Sequence, residues 1–541
     1  MGKDINWVPF IQSKISQGRY EAIKKWGLAF GIAGLAGLTI IYACRRKVYL
    51  LTKSLSRLVF QYFKDEISAL YAFKKNEIRI LLIILIFCCS RSVWFAITTP
   101  ITYDEAWIYN YFTSKSFPES FLLPSNNHKL YTGIAWWFNL FPGNKTFIVR
   151  IPSIITGLLT CFIFFSFIKK HFETSIALIG LAWFSSCIPV TQYMVTGKSY
   201  IYVLLIHILM LQIYVELLSK RNSNSFKWII LSFIITIGYL ANPVFFFGQI
   251  FSMLFFSCLS IYRKRYTLFQ KIILYNLLSL PLLLPFYLAD ILSGSFRDLL
   301  NFAITQKINI SNFFLLCWNN NAQFQTGVNN AGFLFLLIIT FASILYFLKN
   351  YEHKILLLYS IISIIWLPFY AAIAKDDTSV HKTIYITVSV ALITTFIFKH
   401  LFFKKVIQKN FYNYLIIVCI LSANLFLYKH NKQTNWSVQW DNSAKEVSKI
   451  LLKNNATSFY LSHYYYKPAL EFYYKINHQP AKVYMGVPGS VDYVDKIPNT
   501  AAPDFLIIDN VQNPKPNIDV YYKKIFSDAF ITLYKVDLPR N

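Results

Sequence analysis

Apolar runs of about twenty residues recur along most of this chain, and they limit what it can fold into more than any other feature. Within a bilayer every backbone N–H and C=O needs a partner in the protein, so such runs become helices. They fall at 27–44, 78–97, 150–168, 173–191, 199–217, 227–242, 244–261, 270–290, 330–348, 353–373, 383–398 and 411–428. Hydrophobic residues make up 55% of the chain and charged ones only 14%, with a mean hydropathy of +0.43, too little polar surface for a soluble globule. The expected fold class is an α-helical polytopic membrane protein of about 11–12 transmembrane helices.

The net charge of +28, from 53 Lys and Arg against 25 Asp and Glu, does not indicate a nucleic-acid partner, because the basic residues punctuate the apolar runs. Every second short loop is basic: Lys169 and Lys170; Lys220, Arg221 and Lys227; Arg263, Lys264, Arg265 and Lys271; Lys349 and Lys354; Lys399, Lys404, Lys405 and Lys409. By the positive-inside rule these loops are cytoplasmic, which puts 98–149, 291–329, 374–382 and the C-terminal segment outside. The basic stretch 45–77 is also cytoplasmic by this criterion. Residues 27–44, spaced by Gly27, Gly31, Gly34 and Gly37, form either an extra anchor or an interfacial helix, and the side of the N-terminus stays open between them. No cleavable signal peptide is expected. The eight cysteines lie almost all in apolar stretches, with no CxxC or metal-ligand spacing.

After residue 428 the pattern changes. Segments 458–462, 482–485, 504–509 and 530–536 read as strands and 468–476 as a helix, so a small α/β domain is expected at 429–541, outside the membrane. The expected organisation is an N-terminal extension over 1–77, a membrane domain over 78–428 with its first outer loop at 98–149, and this C-terminal domain.

The first outer loop carries most of the candidate chemistry. Asp104 and Glu105 follow a span by a few residues, flanked by Tyr103, Trp107 and Tyr109. Such a carboxylate pair is either a solvated interface or a general base beneath a membrane-side cavity. His128 and Lys129 precede an amphipathic run, Leu130–Leu140, whose Trp136 and Trp137 suit the headgroup level. Arg150 stands at the outer end of the next span, where a basic group serves either as an anchor or as a donor to a lipid phosphate.

This order of span, Asp-Glu, His before an interfacial helix, and Arg150-Ile151-Pro152-Ser153 resembles the GT-C superfamily of polytopic glycosyltransferases. It is most similar to the branch holding the bacterial aminoarabinose transferase and the protein O-mannosyltransferases. The resemblance covers about residues 78–430 in topology, with the clearest motifs between 91 and 157 and Arg91 fitting the pattern. The family's His-Pro-Pro stretch is here Asn127-His128-Lys129-Leu130, so the His matches and the prolines do not. At Met194–Tyr200, Lys198 and Tyr200 match in kind but the family's acidic residue is missing. At 376–382, Asp376, Asp377, His381 and Lys382 stand where the family has an acidic–Arg–Tyr stretch.

The resemblance implies a multi-pass enzyme of the cell inner membrane. It would transfer a sugar from a polyprenyl-phosphate carrier to an acceptor hydroxyl on the extracytoplasmic side. Nucleotide sugars are confined to the cytoplasm, which agrees with a lipid-carried donor for a site that faces outside. Asp104 is the expected catalytic base. Glu105, His128, Lys129, Arg150, Lys198, Tyr200, His381 and Lys382 are expected to hold substrate. No cofactor is required, although a carboxylate pair could bind a divalent metal. The partners are the lipid-linked donor, an acceptor lipid, glycan or protein, and membrane lipids. A flippase of lipid-linked sugars, an oligosaccharide ligase or polymerase, and a membrane scaffold are the alternatives. The long outer loop 291–329 is a candidate lid.

Overall fold

A computed structural model of the chain describes residues 75–117, 128–219, 225–292, 354–366, 384–403, 415–425, 436–462, 466–479, 482–485, 504–510 and 522–536, with isolated positions 46, 53, 338, 340 and 341. The sequence expectations for 27–44, for the loop 291–329 (apart from its first two residues, Ile291 and Leu292), for most of 330–348 and for His381 and Lys382 lie outside the described residues.

The chain enters the described bundle through α1 (Lys75–Thr98) and then turns into a short helix, α2 (Tyr103–Ile108), continued by a π-helical turn at Tyr109–Thr113. A short amphipathic helix, α3 (Lys129–Asn139), and one helical turn, α4 (Lys145–Ile148), lead into α5 (Ile151–Lys169). The bundle continues with α6 (Thr174–Ser186), α7 (Ile188–Met194), α8 (Tyr200–Ser219), α9 (Ser225–Ala241), α10 (Phe245–Tyr262), α11 (Tyr266–Leu277), α12 (Ser279–Leu292), α13 (Lys354–Ile365), α14 (Ile386–Phe403) and α15 (Leu415–Leu425). Among the described residues five helices are long and apolar enough to cross a membrane, and a sixth span results if α6 and α7 are taken together.

These helices are apolar around most of their circumference, as buried or lipid-facing helices must be. Ile155 and Leu159 of α5 stay exposed while its Phe164, Phe165 and Phe167 are buried, so one side faces lipid and the other the bundle. The continuous run read at 173–191 differs from the structure, where α6 and α7 meet at a 64° bend. Pro189, near the start of α7, lacks the N–H that a straight helix would use there. Gly157 of α5 lets α7 approach, since a Cβ there would come within 2.2 Å of the Met194 side chain. On α3, Trp137 remains 58% exposed while Tyr131, Thr132 and Ala135 are buried, as an amphipathic helix at an interface requires.

The C-terminal domain opens with α16 (Trp436–Lys453), followed by β1 (Ser458–Leu461), α17 (Lys467–Ile476), β2 (Lys482–Met485), β3 (Phe505–Asp509), β4 (Tyr522–Ser527) and β5 (Ile531–Val536). The sheet order is β2-β1-β3-β5-β4. β1 pairs in parallel with β2 and β3, whereas β5 runs antiparallel to β3 and β4. Its core, built on Phe459, Leu461, Phe472, Phe505 and Leu533, is continuous with Ile101, Ala106 and Tyr109 of the first outer loop. The loop that carries the candidate chemistry is therefore packed between the bundle and this domain.

Candidate active site

α2 starts with Thr102-Tyr103-Asp104-Glu105, a capping box. The Thr102 hydroxyl accepts from the Glu105 N–H at 3.3 Å, and the Glu105 carboxylate accepts from the Thr102 N–H at 2.9 Å. The same carboxylate accepts two bonds from Arg150, Nε to Oε1 at 2.7 Å and Nη2 to Oε2 at 2.6 Å, and a third from the Gly197 N–H. Arg150 gives its remaining N–H groups to the carbonyls of Ala96 and Thr99, both at 2.8 Å, and Pro100 at 2.7 Å. Both side chains are 0% exposed. A buried ion pair is tolerable only when each charge is fully hydrogen-bonded, and here it is. Burial would push the Glu105 carboxyl up, but Arg150 and the Gly197 and Thr102 amides outweigh it and hold it below the usual carboxylate range.

Asp104, the next residue on the helix, turns the other way. Its side chain is 52% exposed and pairs with Lys198. Burial would lower the Lys198 ammonium, but the adjacent Asp104 carboxylate holds it above the usual lysine range. Lys198 belongs to the segment Gly197-Lys198-Ser199-Tyr200 that enters α8, and each of these residues reaches the first outer loop. Gly197 donates to Glu105, Lys198 pairs with Asp104, and the Ser199 hydroxyl meets His128 Nδ1. The Tyr200 ring stands edge-on to His128 at 5.7 Å, with the Lys198 ammonium 6.0 Å from its centre. Gly197 is required here because a Cβ would lie 2.6 Å from the Tyr131 hydroxyl and 3.3 Å from the Glu105 carboxylate. The acidic partner missing from 194–200 is thus supplied by Asp104, from the other loop.

The C-terminal domain grips the same segment. Asn110 Nδ2 donates to the Pro468 carbonyl at 2.8 Å, and the Tyr111 hydroxyl to Glu471 at 3.4 Å. Lys475 reaches Ser114, and Tyr109 meets Phe472 edge-on at 4.9 Å.

Of the residues expected at the site, Asp104, Lys198, Tyr200 and His128 share one face at this end of the bundle. Two expected contacts are enclosed: all five N–H groups of Arg150 are bonded inside the protein, and Glu105 is buried with it. Lys129 is 1% exposed and lies 5.4 Å from the Tyr287 ring centre, directed into the bundle. Arg91 fits the family pattern but sits elsewhere, tying α1 to Asn424 of α15 at 2.5 Å and to the Ser185 carbonyl at 3.1 Å. Ser199 and Asn242 escaped the sequence reading. Asn242 donates to the Ser199 hydroxyl at 3.2 Å and completes the support of His128, and no motif marks it. The capping box at Thr102–Glu105 was not read either, although its T-x-x-E pattern marks it. Among the described residues no three of His, Cys, Asp and Glu are grouped as metal ligands would be.

Two cavities open beside the α3–α5 connection. An apolar one of about 420 Å³ is lined by Phe138, Phe141, Phe147, Ile148 and Ile151. A polar one of about 310 Å³ shares Gly143 and Asn144 with it and adds Lys145 together with Lys445, Tyr473 and Asn477 of the C-terminal domain.

No family model matches the sequence, and no curated protein matches it by sequence. By structure the chain is similar to ArnT from Cupriavidus metallidurans bound to undecaprenyl phosphate, at 10% identity and TM-score 0.53, over 85% of this chain and 97% of that one. ArnT in the apo state gives 10% identity and TM-score 0.51, over 84% and 97%. The Archaeoglobus fulgidus oligosaccharyltransferase is a weaker likeness, at 12% identity and TM-score 0.44, over 85% and 74%. The likeness is one of fold, shared with ArnT over most of both chains.

Proposed function

We propose that the protein is a membrane glycosyltransferase that moves a sugar from a polyprenyl-phosphate carrier to an acceptor hydroxyl on the extracytoplasmic side of the inner membrane. The observation that carries this reading is the exposed Asp104 carboxylate, paired with Lys198 on a backbone that the buried Glu105–Arg150 pair makes rigid. A general base needs a carboxylate that substrate can reach and a fixed position for it. The likeness in fold to ArnT, a protein solved with undecaprenyl phosphate, supports a lipid-linked donor. The apolar cavity at the interface is suited to a hydrocarbon chain beside a polar headgroup region.

In this reading the acceptor hydroxyl attacks the anomeric carbon of the donor. Asp104 takes the hydroxyl proton as the new C–O bond forms. The bond from the anomeric carbon to the phosphate oxygen breaks, and the polyprenyl phosphate leaves with the electron pair. Lys198 and His128 stabilise the charge that develops on the leaving phosphate. His381 and Lys382 are proposed as further substrate-binding residues.

The test is mass spectrometry of envelope lipids, glycans and proteins from cells with and without this protein. Cells lacking it should accumulate a polyprenyl-phosphate sugar and lose that sugar from one acceptor. Unchanged lipid-linked sugars together with an unchanged set of glycosylated products would contradict the reading.

A further inference from the structure

The two cavities beside the α3–α5 connection differ in chemistry and share a rim. The polar one takes Thr99 and Lys145 from the bundle end of the chain, and Lys445 of α16, Tyr473 of α17 and Asn477 just beyond it from the C-terminal domain. Gly143 and Asn144 line it and also line the apolar cavity, whose wall carries Phe138, Phe141 and Phe147.

The polar cavity is lined by two ammonium groups and by no carboxylate. Lys145 is fixed in place, its Nζ donating to the carbonyls of Asn139 at 2.7 Å and Phe141 at 3.0 Å at the end of α3. An ammonium has three N–H donors, so one of them is left over. Lys445 is half-buried, and its ammonium makes no hydrogen bond or ion pair among the described residues. The neighbouring Glu446 pairs with Lys449 at 2.7 Å instead. Two cations that line one concave space raise its potential and favour an anion, and an anion with several oxygens can accept from both. The apolar side is open to a chain from the bilayer. Phe141 is 61% exposed, and Ile97, on the wall of the polar cavity, is 52% exposed. Trp137 and Leu140 of the same stretch are exposed as well, as residues at a headgroup boundary are.

We propose that the paired cavities bind an anionic phospholipid, with its phosphate between Lys145 and Lys445 and one acyl chain along Phe138, Phe141 and Phe147. None of Asp104, His128, Lys198 and Tyr200 lines either cavity, so a phosphate held here is not the one that leaves in the transfer reaction. The site goes beyond the transferase reading and stands whether or not a sugar is transferred. Lys145 belongs to α4 and Lys445 to α16, so one bound lipid joins the bundle to the C-terminal domain. A zwitterionic headgroup brings its own cation to a space that already holds two, and inorganic phosphate gains the lysines without the apolar wall.

The test uses the full-length protein, delipidated in detergent. Binding of phosphatidylglycerol, phosphatidylcholine, undecaprenyl phosphate and inorganic phosphate is followed by native mass spectrometry, with thermal unfolding alongside. Phosphatidylglycerol should bind at least tenfold more tightly than phosphatidylcholine and raise the melting temperature. Lys445→Gln, which keeps most of the side-chain stem and loses the charge, should weaken phosphatidylglycerol about tenfold or more and remove its stabilising effect. Lys445→Arg should stay within about threefold of the wild type, and Phe141→Ser should weaken phosphatidylglycerol as well. Undecaprenyl phosphate should change less than about twofold in Lys445→Gln. Lys145→Gln takes the place of Lys445→Gln, with the same expectations, if the latter does not fold. Equal affinity for the two phospholipids, or wild-type phosphatidylglycerol affinity without the lysine charge, would overturn the proposal. Inorganic phosphate binding as tightly as phosphatidylglycerol would overturn it in favour of a free anion. Undecaprenyl phosphate losing affinity in step with phosphatidylglycerol would overturn it in favour of the carrier lipid.

Discussion

The two faces of α2 carry adjacent carboxylates with opposite surroundings. Glu105 faces inward, is 0% exposed and accepts four hydrogen bonds, two of them from a guanidinium. Asp104 faces outward, is half-exposed and pairs with Lys198. A single residue step along the helix thus separates a saturated ion pair from an accessible one. The difference teaches which acid of an Asp-Glu pair can do chemistry. An enclosed carboxylate whose lone pairs are all used has no capacity for a substrate proton, whereas a half-exposed one paired with a lysine is open to substrate and has a fixed direction.

The comparison is broken most severely at Arg150. Replacing it with Ala leaves Glu105 buried and uncompensated and strips three carbonyls of their donor, a loss of about 3–5 kcal/mol. Arg150→Ala should therefore yield little folded protein in detergent, measured as the monodisperse fraction by size exclusion. Arg150→Lys should not restore it, because a point charge cannot replace a five-donor fork. A well-folded Arg150→Ala protein with a raised donor KM would return Arg150 to the role of a substrate contact.

A smaller effect is expected on the outer face. Lys198→Ala removes one charge-assisted partner of Asp104 and of the proposed leaving phosphate. The expected loss in kcat/KM is about 1.5–3 kcal/mol, roughly 10- to 150-fold, in a protein that still folds. The pH dependence has a definite sign. Because the folded-state pKa of Lys198 is raised, its contribution to stability is fully present below the unfolded value of 10.5 and fades only as pH climbs towards the higher folded value. The difference in melting temperature between wild type and Lys198→Ala should therefore be flat from pH 6 to about pH 10 and shrink above it. A difference that already vanishes near neutral pH would mean that the Asp104–Lys198 pair does not form.

Much of this fold was legible in the sequence because a bilayer leaves few solutions. Apolar runs of spanning length became α1, α5, α8 and α10, and alternating segments after residue 428 became β1, β2, β3 and β5. The bend between α6 and α7 was not legible, since the run at 173–191 is apolar throughout and the bend depends on Pro189 and the packing around it. β4, Tyr522–Ser527, was also missed, because its Lys523 and Lys524 conceal the strand pattern. At the site, residue types pointed to Asp104, Lys198, Tyr200 and His128, but burial could not be read from them. Arg150 has the sequence context of an interfacial anchor, and only the three-dimensional approach of Glu105 and the 96–100 carbonyls gives it a structural role. Gly197 lies in a segment remote from the Asp-Glu pair, and one sequence offers no signal that its N–H meets Glu105.

The central claim is that Asp104 reacts while Glu105 supports it, and paired isosteric substitutions test it most directly. Asp104→Asn and Glu105→Gln should be purified side by side and assayed for sugar transfer and for thermal stability. Asp104→Asn should keep the wild-type melting temperature within a few degrees and lose roughly 10²–10⁴ in kcat. Glu105→Gln should melt far earlier or fail to accumulate, because it leaves the Arg150 charge unpaired. A stable, inactive Glu105→Gln beside an active Asp104→Asn would contradict the account.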